Sequence, residues 1–229
     1  MANEIISYLE MCQREGTNLQ RGMNYRLGGS YSVILMSTRY NSPYQDLVED
    51  DGRTLVYEGH DSPRTTEIPD PKLADQPQVT SAGNLTENGK FYRAAQEHKL
   101  NGAEPEGVRV YEKIRQGIWS YNGLFQLVDS WVESDGVRNV FKFKLITTDD
   151  ASSQDHVALQ KAESGRVIPT AVKLEVWKRD RGRCTVCGAT DDLHFDHIIP
   201  YSKGGTSLMA DNIQILCARH NLEKGDKIL

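Results

Sequence analysis

Hydrophobic residues recur at strand spacing through the first two thirds of the chain. Between residues 20 and 147, runs rich in β-branched and aromatic residues alternate with turn sequences such as EDDG, YNG and ESDG. These runs predict strands at 30–37, 53–59, 108–114, 123–133 and 138–146. A single helical pattern, over 85–98, interrupts them. Many short strands with few flanking helices predict an α+β fold built on a bent β-sheet or barrel.

Helical or irregular patterns flank this region on both sides. Apolar residues within 1–14 lie at helical spacing, and Gly16 would end a short amphipathic helix there. Residues 148–170 are polar and lack sustained periodicity, which predicts a linker with a short helix near 157–162. Helical spacing returns over about 171–180.

Length and composition divide the chain into two domains. Its 229 residues exceed one typical domain. We therefore predict an N-terminal helical segment at 1–19, a large domain at 20–147, a linker at 148–170 and a small domain at 171–229. We expect no membrane partner, because no apolar run approaches the roughly 20 residues of a membrane span. The first residues also lack the pattern of a secretory signal.

The distribution of charge bears on nucleic-acid binding more than the net charge does. The net charge is −5 at pH 7, which by itself argues against such a partner. The segment KLEVWKRDRGR is nevertheless basic, and a helix there could lie along a phosphate backbone. The candidate DNA contacts are Lys173, Lys178, Arg179 and Arg181. The alternative is an ordinary solvated helix face.

Four residues near the C-terminus have the spacing of zinc ligands. Two residues separate Cys184 from Cys187, and Cys217 and His220 repeat that spacing. Two such turns complete tetrahedral coordination without an open position, so the zinc would be structural. The segment is too short to bury a core of its own, and metal binding would supply much of its folding free energy. Three of four cysteines are thereby assigned, which fits a reducing cytosol and leaves Cys12 as a free thiol.

A second set of polar residues lies among these ligands. Asp196 and Asn221 offer the oxygen atoms that divalent cations prefer, and His197 is suited to take a proton from water. Adjacent strand residues point to opposite sides, so we expect a bend or bulge at Asp196 and His197. Asn212 is a candidate to hold the imidazole, the alternative being a turn or cap residue. We interpret His194 as a plain strand residue rather than a phosphate contact.

The sequences CTVCG, DHIIPYSKGG and LCARHNLEKG, with Asn212 between the last two, resemble the HNH nuclease family. The resemblance implies a ββα-metal fold with His197 as general base and Asn212 as its orienting residue. It also implies that Asp196 and Asn221 bind a catalytic Mg²⁺ or Mn²⁺ ion. Asn221 stands where the family name expects a third histidine, as in HNN variants. Lys224 is a further candidate for a phosphate contact.

The large domain contains GMNYRLGGSYSVILMSTRYNSPYQDLVEDDGRTLVYEGHD, QVTSAGNLTENGKFYRAA and SYNGLFQLVDSW. Together these stretches resemble the SRA (YDG) domain, a reader of modified cytosine. The Tyr-Asp-Gly of that family appears here as Tyr-Asn-Gly at 121–123, a position that we interpret as structural. The base-binding candidates that the resemblance implies are Tyr44, Asp46, Tyr57 and Tyr40, with Tyr40 competing with Tyr44 for one role.

These residue types suit the recognition of a flipped base. Flipping costs a few kcal/mol of stacking, which two aromatic faces can restore. A carboxylate can accept a hydrogen bond from the exocyclic amine of cytosine, which thymine lacks. The alternatives are that Tyr57 only completes a sheet surface and that Asp46 is a turn residue.

The two resemblances together predict a DNA endonuclease. Its first domain would flip 5-methylcytosine or 5-hydroxymethylcytosine in double-stranded DNA, and its second would hydrolyse a nearby phosphodiester, with the linker allowing cuts at some distance. This is the arrangement of type IV-like restriction enzymes, which implies a prokaryotic, cytoplasmic protein. One HNH site cuts one strand, so a double-strand break suggests a homodimer. The alternatives are a nicking or homing-type HNH enzyme without modification dependence and a non-catalytic reader whose zinc module is a scaffold.

Overall fold

The computed structural model describes residues 3–29, 31–38, 42–147 and 166–228. These residues form a sheet-dominated protein, which confirms the predicted α+β class. The elements in chain order are β1 (Glu4–Ser7), α1 (Tyr8–Glu15), β2 (Met23–Leu27), β3 (Tyr31–Met36), β4 (Leu47–Glu49), β5 (Thr54–Glu58), α2 (Glu87–Asn101), β6 (Glu106–Arg115), β7 (Ile118–Ser134), β8 (Asn139–Thr147), α3 (Thr170–Arg179), β9 (Leu193–His197), β10 (Ile213–Cys217) and α4 (Ala218–Lys224). No helix among them is long and apolar enough to cross a membrane.

The ten strands belong to one hydrogen-bonded sheet. Its main path runs β10-β9-β1-β7-β6-β3-β2, and a branch of β8, β5 and β4 starts from β7. The branch exists because β7 is long: its first residues pair with β1 and β6, and its last residues pair with β8. We call the part before residue 148 the reader half and the part from residue 166 the nuclease half, only as labels taken from the two families that their sequences resemble.

The strands predicted from the hydrophobic pattern correspond to β3, β5, β6, β7 and β8, and the predicted helix corresponds to α2. The short strands β2 and β4 were not predicted. The N-terminal prediction was wrong in part, because Glu4–Ser7 is a strand and the helix begins only at Tyr8. Ser7 ends that strand and caps the helix, since its side chain accepts a hydrogen bond from the backbone of Glu10.

The predicted linker overlaps a gap in the description. Residues 148–165, including the helix expected near 157–162, lie outside the described residues, and so does Tyr40. The end of the predicted linker is not solvated, because Val167 and Ile168 are fully buried. Val167 also donates its N–H to the carbonyl of Gly52 in the reader half, at 2.9 Å.

Each half has its own apolar core. In the reader half, Phe91 of α2 packs with Phe125 of β7 and Phe143 of β8, and all three are fully buried. In the nuclease half, Val176 of α3 belongs to a core with Ile215 of β10. Burying such a side chain contributes roughly 1.5–3 kcal/mol, so each core supports its own sheet region.

The N-terminal strand joins the halves through backbone hydrogen bonds. β1 pairs with β7 over Glu4–Ser7 on one side, and Glu4 is also opposite His194 of β9 on the other. Phe195 of β9 donates its N–H to the carbonyl of Asn3 at 3.0 Å. The sheet therefore continues from the reader half into the nuclease half through a strand from the start of the chain.

A buried ion pair joins the halves through side chains. Lys173 Nζ of α3 lies 2.5 Å from Glu112 Oε2 of β6 and 2.6 Å from Asn122 Oδ1 of β7. Asn122 is the extra residue of a β-bulge in β7, and a bulge redirects a side chain. Its amide also donates to Glu112 Oε2, at 3.2 Å. An aspartate at 122 would place a second carboxylate against Glu112, which explains asparagine within the Tyr-Asn-Gly sequence.

The buried pair gives a stability prediction. Lys173→Ala would leave the Glu112 carboxylate buried without its cation, so we expect a loss of about 3–5 kcal/mol in the free energy of unfolding. Lys178→Ala is the matched control, because Lys178 is exposed on the same helix, and its cost should stay under about 0.5 kcal/mol. Urea denaturation of both variants measures the difference. Equal stabilities would show that the pair does not hold the halves together.

Candidate functional site

The four predicted zinc ligands form one cluster. The ligand atoms of Cys184, Cys187, Cys217 and His220 all lie within 4.8 Å of one another. His220 Nδ1 is 3.4 Å from Cys184 Sγ and 3.3 Å from Cys217 Sγ, while the Sγ atoms of Cys187 and Cys217 are 3.9 Å apart. Tetrahedral zinc with bonds of about 2.0–2.3 Å would separate its ligands by roughly 3.5–3.8 Å. The cluster therefore has the size and donor set of a zinc site.

Local structure explains how the ligands meet. Gly188, at φ 75°, closes the first turn by donating its N–H to the carbonyl of Cys184 at 2.8 Å. Cys217 ends β10 and is the N-cap residue of α4, which places His220 in the first turn of that helix. Burial opposes ionisation of Cys184, but backbone N–H groups of Cys187, Cys217 and Val186 lower its pKa to about 6. The thiolate is the form that binds zinc.

Asp196 of β9 is partly buried and contacts α4. Its Oδ2 accepts hydrogen bonds from Gln214 Nε2 and Lys224 Nζ, each at 3.1 Å. Burial raises the pKa of Asp196, while the Lys224 ammonium and the Gln214 amide act in the opposite direction. Asn221 is three residues before Lys224 in α4, so both side chains lie on one helix face. That face packs against β9, where Asp196 is located.

His197 is the last residue of β9. The predicted bulge at Asp196 and His197 was wrong, because β9 pairs with β10 in an unbroken register through both residues. The strand ends there, so no irregularity is needed to free the imidazole. His197 Nε2 is 3.0 Å from Ser207 Oγ. Burial lowers the pKa of His197 to about 4, against the opposing effect of the Asp51 carboxylate, so the imidazole is neutral and can accept a proton at pH 7.

Asn212 does not hydrogen-bond the imidazole. Its Oδ1 accepts from the N–H of Ile199 at 2.8 Å, and its Nδ2 donates to the carbonyls of Ile199 and Thr206 at 3.1 and 3.0 Å. Asn212 therefore fixes the loop between β9 and β10 and reaches His197 only through that loop. A Cβ on Gly205 would lie 1.8 Å from the carbonyl oxygen of Ile199, so this loop requires glycine there.

Two of the five predicted DNA contacts are wrong. Lys173 is fully buried in its ion pair with Glu112, and the side chain of Lys224 is 2% exposed beside Asp196. Neither lysine faces a surface on which DNA could lie. The other three, Lys178, Arg179 and Arg181, are exposed, although Arg179 also donates to the carbonyls of Ala210 and Ile213 at 2.8 and 2.6 Å.

Asp46 lies in the interior of the reader half. Its Oδ1 accepts from the N–H of Glu58 and its Oδ2 from the N–H of Ser37, each at 3.1 Å. Asp46 and Tyr57 border one internal gap, too narrow to admit a water molecule, together with apolar residues that include Met36 and Val110. Burial raises the pKa of Asp46 to about 7, although the two N–H groups favour its ionised form. The Asp46 carboxyl group is thus buried and accepts hydrogen bonds from the backbone at two places that are distant in sequence.

The predicted tyrosines lie around a histidine that the sequence did not single out. The Tyr44 and His60 rings are 6.4 Å apart between centroids and tilted by 31°. A Cβ on Gly22 would lie 2.8 Å from the Tyr57 hydroxyl and 2.9 Å from His60 Nε2. The Tyr57 and His60 side chains therefore both end against the backbone of Gly22. Tyr57 is 4% exposed, whereas Tyr44 is only half-buried. Lys72 Nζ lies over the Tyr44 ring, 4.1 Å from its centroid, where the ring face attracts the positive charge of the ammonium.

Sequence reasoning also missed Asp51 and Ser207, which lie near His197. Neither has a spacing or a neighbour of the kind that marks a catalytic motif. His60 follows the VYEG stretch directly, and that proximity was the available signal. His194 is a buried strand residue of β9, as interpreted from the sequence.

Comparison with protein families agrees with the C-terminal geometry. Residues 184–227 match the HNH endonuclease family. The matched segment contains the zinc cluster, β9, β10 and α4, so the HNH resemblance inferred from the sequence is confirmed there. No curated protein matches the chain.

Solved structures similar to the chain include SRA domains. One is the SUVH5 SRA domain with hemi-methylated CG DNA, with 24% identity over 62% of this chain and 86% of that chain and a TM-score of 0.39. Another is SUVH5 SRA bound to fully hydroxymethylated CG DNA, with 24% identity, coverage of 62% and 84%, and a TM-score of 0.40. The type IV phosphorothioation-dependent restriction endonuclease ScoMcrA has 15% identity over 99% of this chain and 57% of that chain, with a TM-score of 0.41.

The cluster of thiols and imidazole gives a metal prediction. We expect the purified protein to carry a single structural zinc ion, measurable by elemental analysis. Cys217→Ser should lose the zinc and unfold the surrounding segment, because metal binding contributes about 10 kcal/mol in comparable modules. Cys12→Ser is the control, since Cys12 lies on α1 outside the cluster, and it should keep the metal. Zinc retained in full by Cys217→Ser would contradict the assignment.

Proposed function

We propose that the chain is a DNA endonuclease that recognises 5-methylcytosine or 5-hydroxymethylcytosine and cuts a nearby phosphodiester. The observation that carries the proposal is the group at the end of β9. There, Asp196 accepts from Lys224 on the Asn221 face of α4, and the neutral His197 ends the strand. Both lie within a segment that matches HNH endonucleases and also carries the cluster of Cys184, Cys187, Cys217 and His220.

The donor set suits a catalytic divalent ion. Asp196 and Asn221 supply carboxylate and amide oxygens, which Mg²⁺ and Mn²⁺ prefer. Lys224 Nζ lies 3.1 Å from Asp196 Oδ2, so a cationic group already contacts the carboxylate that would bind the metal ion. When bound, such an ion would stabilise negative charge on the phosphate and the leaving oxygen.

His197 is the residue proposed to accept the proton of the attacking water. His197 accepts a proton as the water oxygen forms its bond to phosphorus and the bond from phosphorus to the 3′ oxygen breaks. Its neutral imidazole suits this role at pH 7. Asn212 fixes the loop that follows β9, which limits the movement of His197. Lys178, Arg179 and Arg181 extend from the same half as candidates for phosphate contact.

Asp46 is the proposed reader of the base. A carboxylate held by two backbone N–H groups keeps lone pairs for the exocyclic amine of a flipped cytosine. The half-buried ring of Tyr44 offers a stacking face if Lys72, which lies over the ring, moves aside, and Tyr57 borders the same narrow gap as Asp46. Tyr57 is covered, so stacking on it requires its neighbours to move.

Each chain has one candidate nuclease site, and a double-strand break would then require two chains, which we propose as a homodimer.

Cleavage of matched duplexes tests the proposal. Duplexes that differ only in one cytosine, unmodified, 5-methylated or 5-hydroxymethylated, are incubated with the full chain and Mg²⁺ or Mn²⁺. We expect faster cutting of a modified duplex.

His197→Ala should lower the cleavage rate by at least about 100-fold while DNA binding persists. His98→Ala, which changes a histidine of α2, should leave the cleavage rate unchanged. Asp46→Ala should reduce the preference for modified DNA by about 10-fold or more, from a loss of about 1–3 kcal/mol.

The other outcomes separate the alternatives. Equal cleavage of modified and unmodified duplexes would contradict modification dependence and favour a nicking or homing-type enzyme. Selective binding without metal-dependent cleavage would favour a non-catalytic reader with a zinc scaffold.

A further inference from the structure

The hairpin of β4 and β5 extends from the candidate base pocket to the nuclease half. Asp46 directly precedes β4, and Tyr57 belongs to β5. The opposite end of the hairpin is the 3₁₀ turn Asp50–Gly52, in which Asp51 has a left-handed backbone at φ 51° and ψ 43°. Asp51 is therefore the point where the base-reading hairpin meets the loop that follows β9.

Three hydrogen-bonded residues connect this turn to His197. Asp51 Oδ1 accepts from the N–H of Ser207 and from Thr206 Oγ1, each at 3.0 Å. Ser207 Oγ is in turn 3.0 Å from His197 Nε2, and Ser207 is fully buried. Thr206 is held on both sides, because its carbonyl accepts from Asn212 Nδ2 at 3.0 Å. Asn212 of the nuclease half holds one side of Thr206, and Asp51 of the reader half holds the other.

The turn that carries Asp51 cannot shift freely against the nuclease half. A Cβ on Gly52 would lie 2.3 Å from the carbonyl oxygen of Val167, and Val167 donates its N–H to the carbonyl of Gly52 at 2.9 Å. Inside the hairpin, Asp50 Oδ2 accepts from Thr54 Oγ1 at 2.8 Å. The Asp51 carboxylate is thus presented to Ser207 from a closely packed turn.

We propose that Asp51 is a positioning residue that, through Ser207, fixes the imidazole of His197 for proton transfer. The reader half thereby completes the nuclease site, because the acceptor that holds Ser207 comes from the base-reading hairpin. This inference rests on the proposed nuclease function. Asp51 touches neither the phosphate nor the metal ligands in this role; it acts on the orientation of the general base.

Single-turnover cleavage by the full chain tests the inference. Asp51→Ala should lower the rate at saturating modified DNA by about 10- to 100-fold, the range typical when a partner that orients a functional side chain is removed. The Kd for the duplex and the zinc content should stay unchanged, and the Tm should fall by only a few degrees, from two lost hydrogen bonds and an alanine at positive φ. Asp51→Asn keeps an acceptor oxygen for Ser207 and Thr206, so it should restore most of the rate.

Neighbouring variants control for charge and folding. Glu49→Ala removes the same charge from an exposed residue that makes no cap hydrogen bond to the turn, and it should cut at the wild-type rate. Ser207→Ala removes only the hydroxyl and should lose as much rate as Asp51→Ala. The double variant should lose no more than either single one, because both act through one contact.

Several results would overturn the inference. These are a wild-type rate for Asp51→Ala or Ser207→Ala, equal losses for Glu49→Ala and Asp51→Ala, or a failure of Asp51→Asn to restore activity. An assay without cleavage separates this inference from the proposed function. If the wild type cuts no duplex, the nuclease proposal fails, while nitrogen NMR of the His197 ring still tests the positioning. Ring signals that Asp51→Ala leaves unchanged would overturn it whatever the activity.

Discussion

The attachment of the nuclease half to the reader half is the constraint on which the rest of the structure depends. β1 continues the sheet across the junction, and the buried pair of Lys173 and Glu112 links α3 to β6. A buried pair of this kind stabilises only when both partners stay in place, because one alone would be an uncompensated charge. The small zinc module is therefore fixed to a large sheet at two points and is not simply tethered by the residues that connect the halves.

This attachment fixes the position of the proposed base-reading residues relative to the proposed cleavage residues. The β4–β5 hairpin has Asp46 at one end and Asp51 at the other, where Asp51 meets the loop that carries Ser207. On the far side of that loop, Asn212 holds the backbone from within the nuclease half. The distance between Asp46, the proposed base reader, and His197, the proposed general base, is thus set by packed elements. This supports the proposal that both act on one DNA molecule at a defined separation.

The sequence predicted the features that depend on local pattern. Ligand spacing predicted the cluster of Cys184, Cys187, Cys217 and His220, and strand-like runs predicted five strands and α2. What it missed depends on contacts between distant residues: Glu4–Ser7 forms a strand because β7 and β9 flank it, and Lys173 is buried because Glu112 and Asn122 accept its charge. The basic appearance of the 173–183 segment concealed this, since a charged residue looks the same in sequence whether it is solvated or paired inside.

Mapping the cut positions around a single modified cytosine tests the account most directly. The measurement uses the wild type and a variant lengthened by a glycine- and serine-rich insert within residues 148–165. A fixed attachment predicts cuts in one narrow window for both proteins, because the contacts that join the halves lie outside that segment. Cuts spread over many base pairs, or a window that widens with the insert, would contradict it.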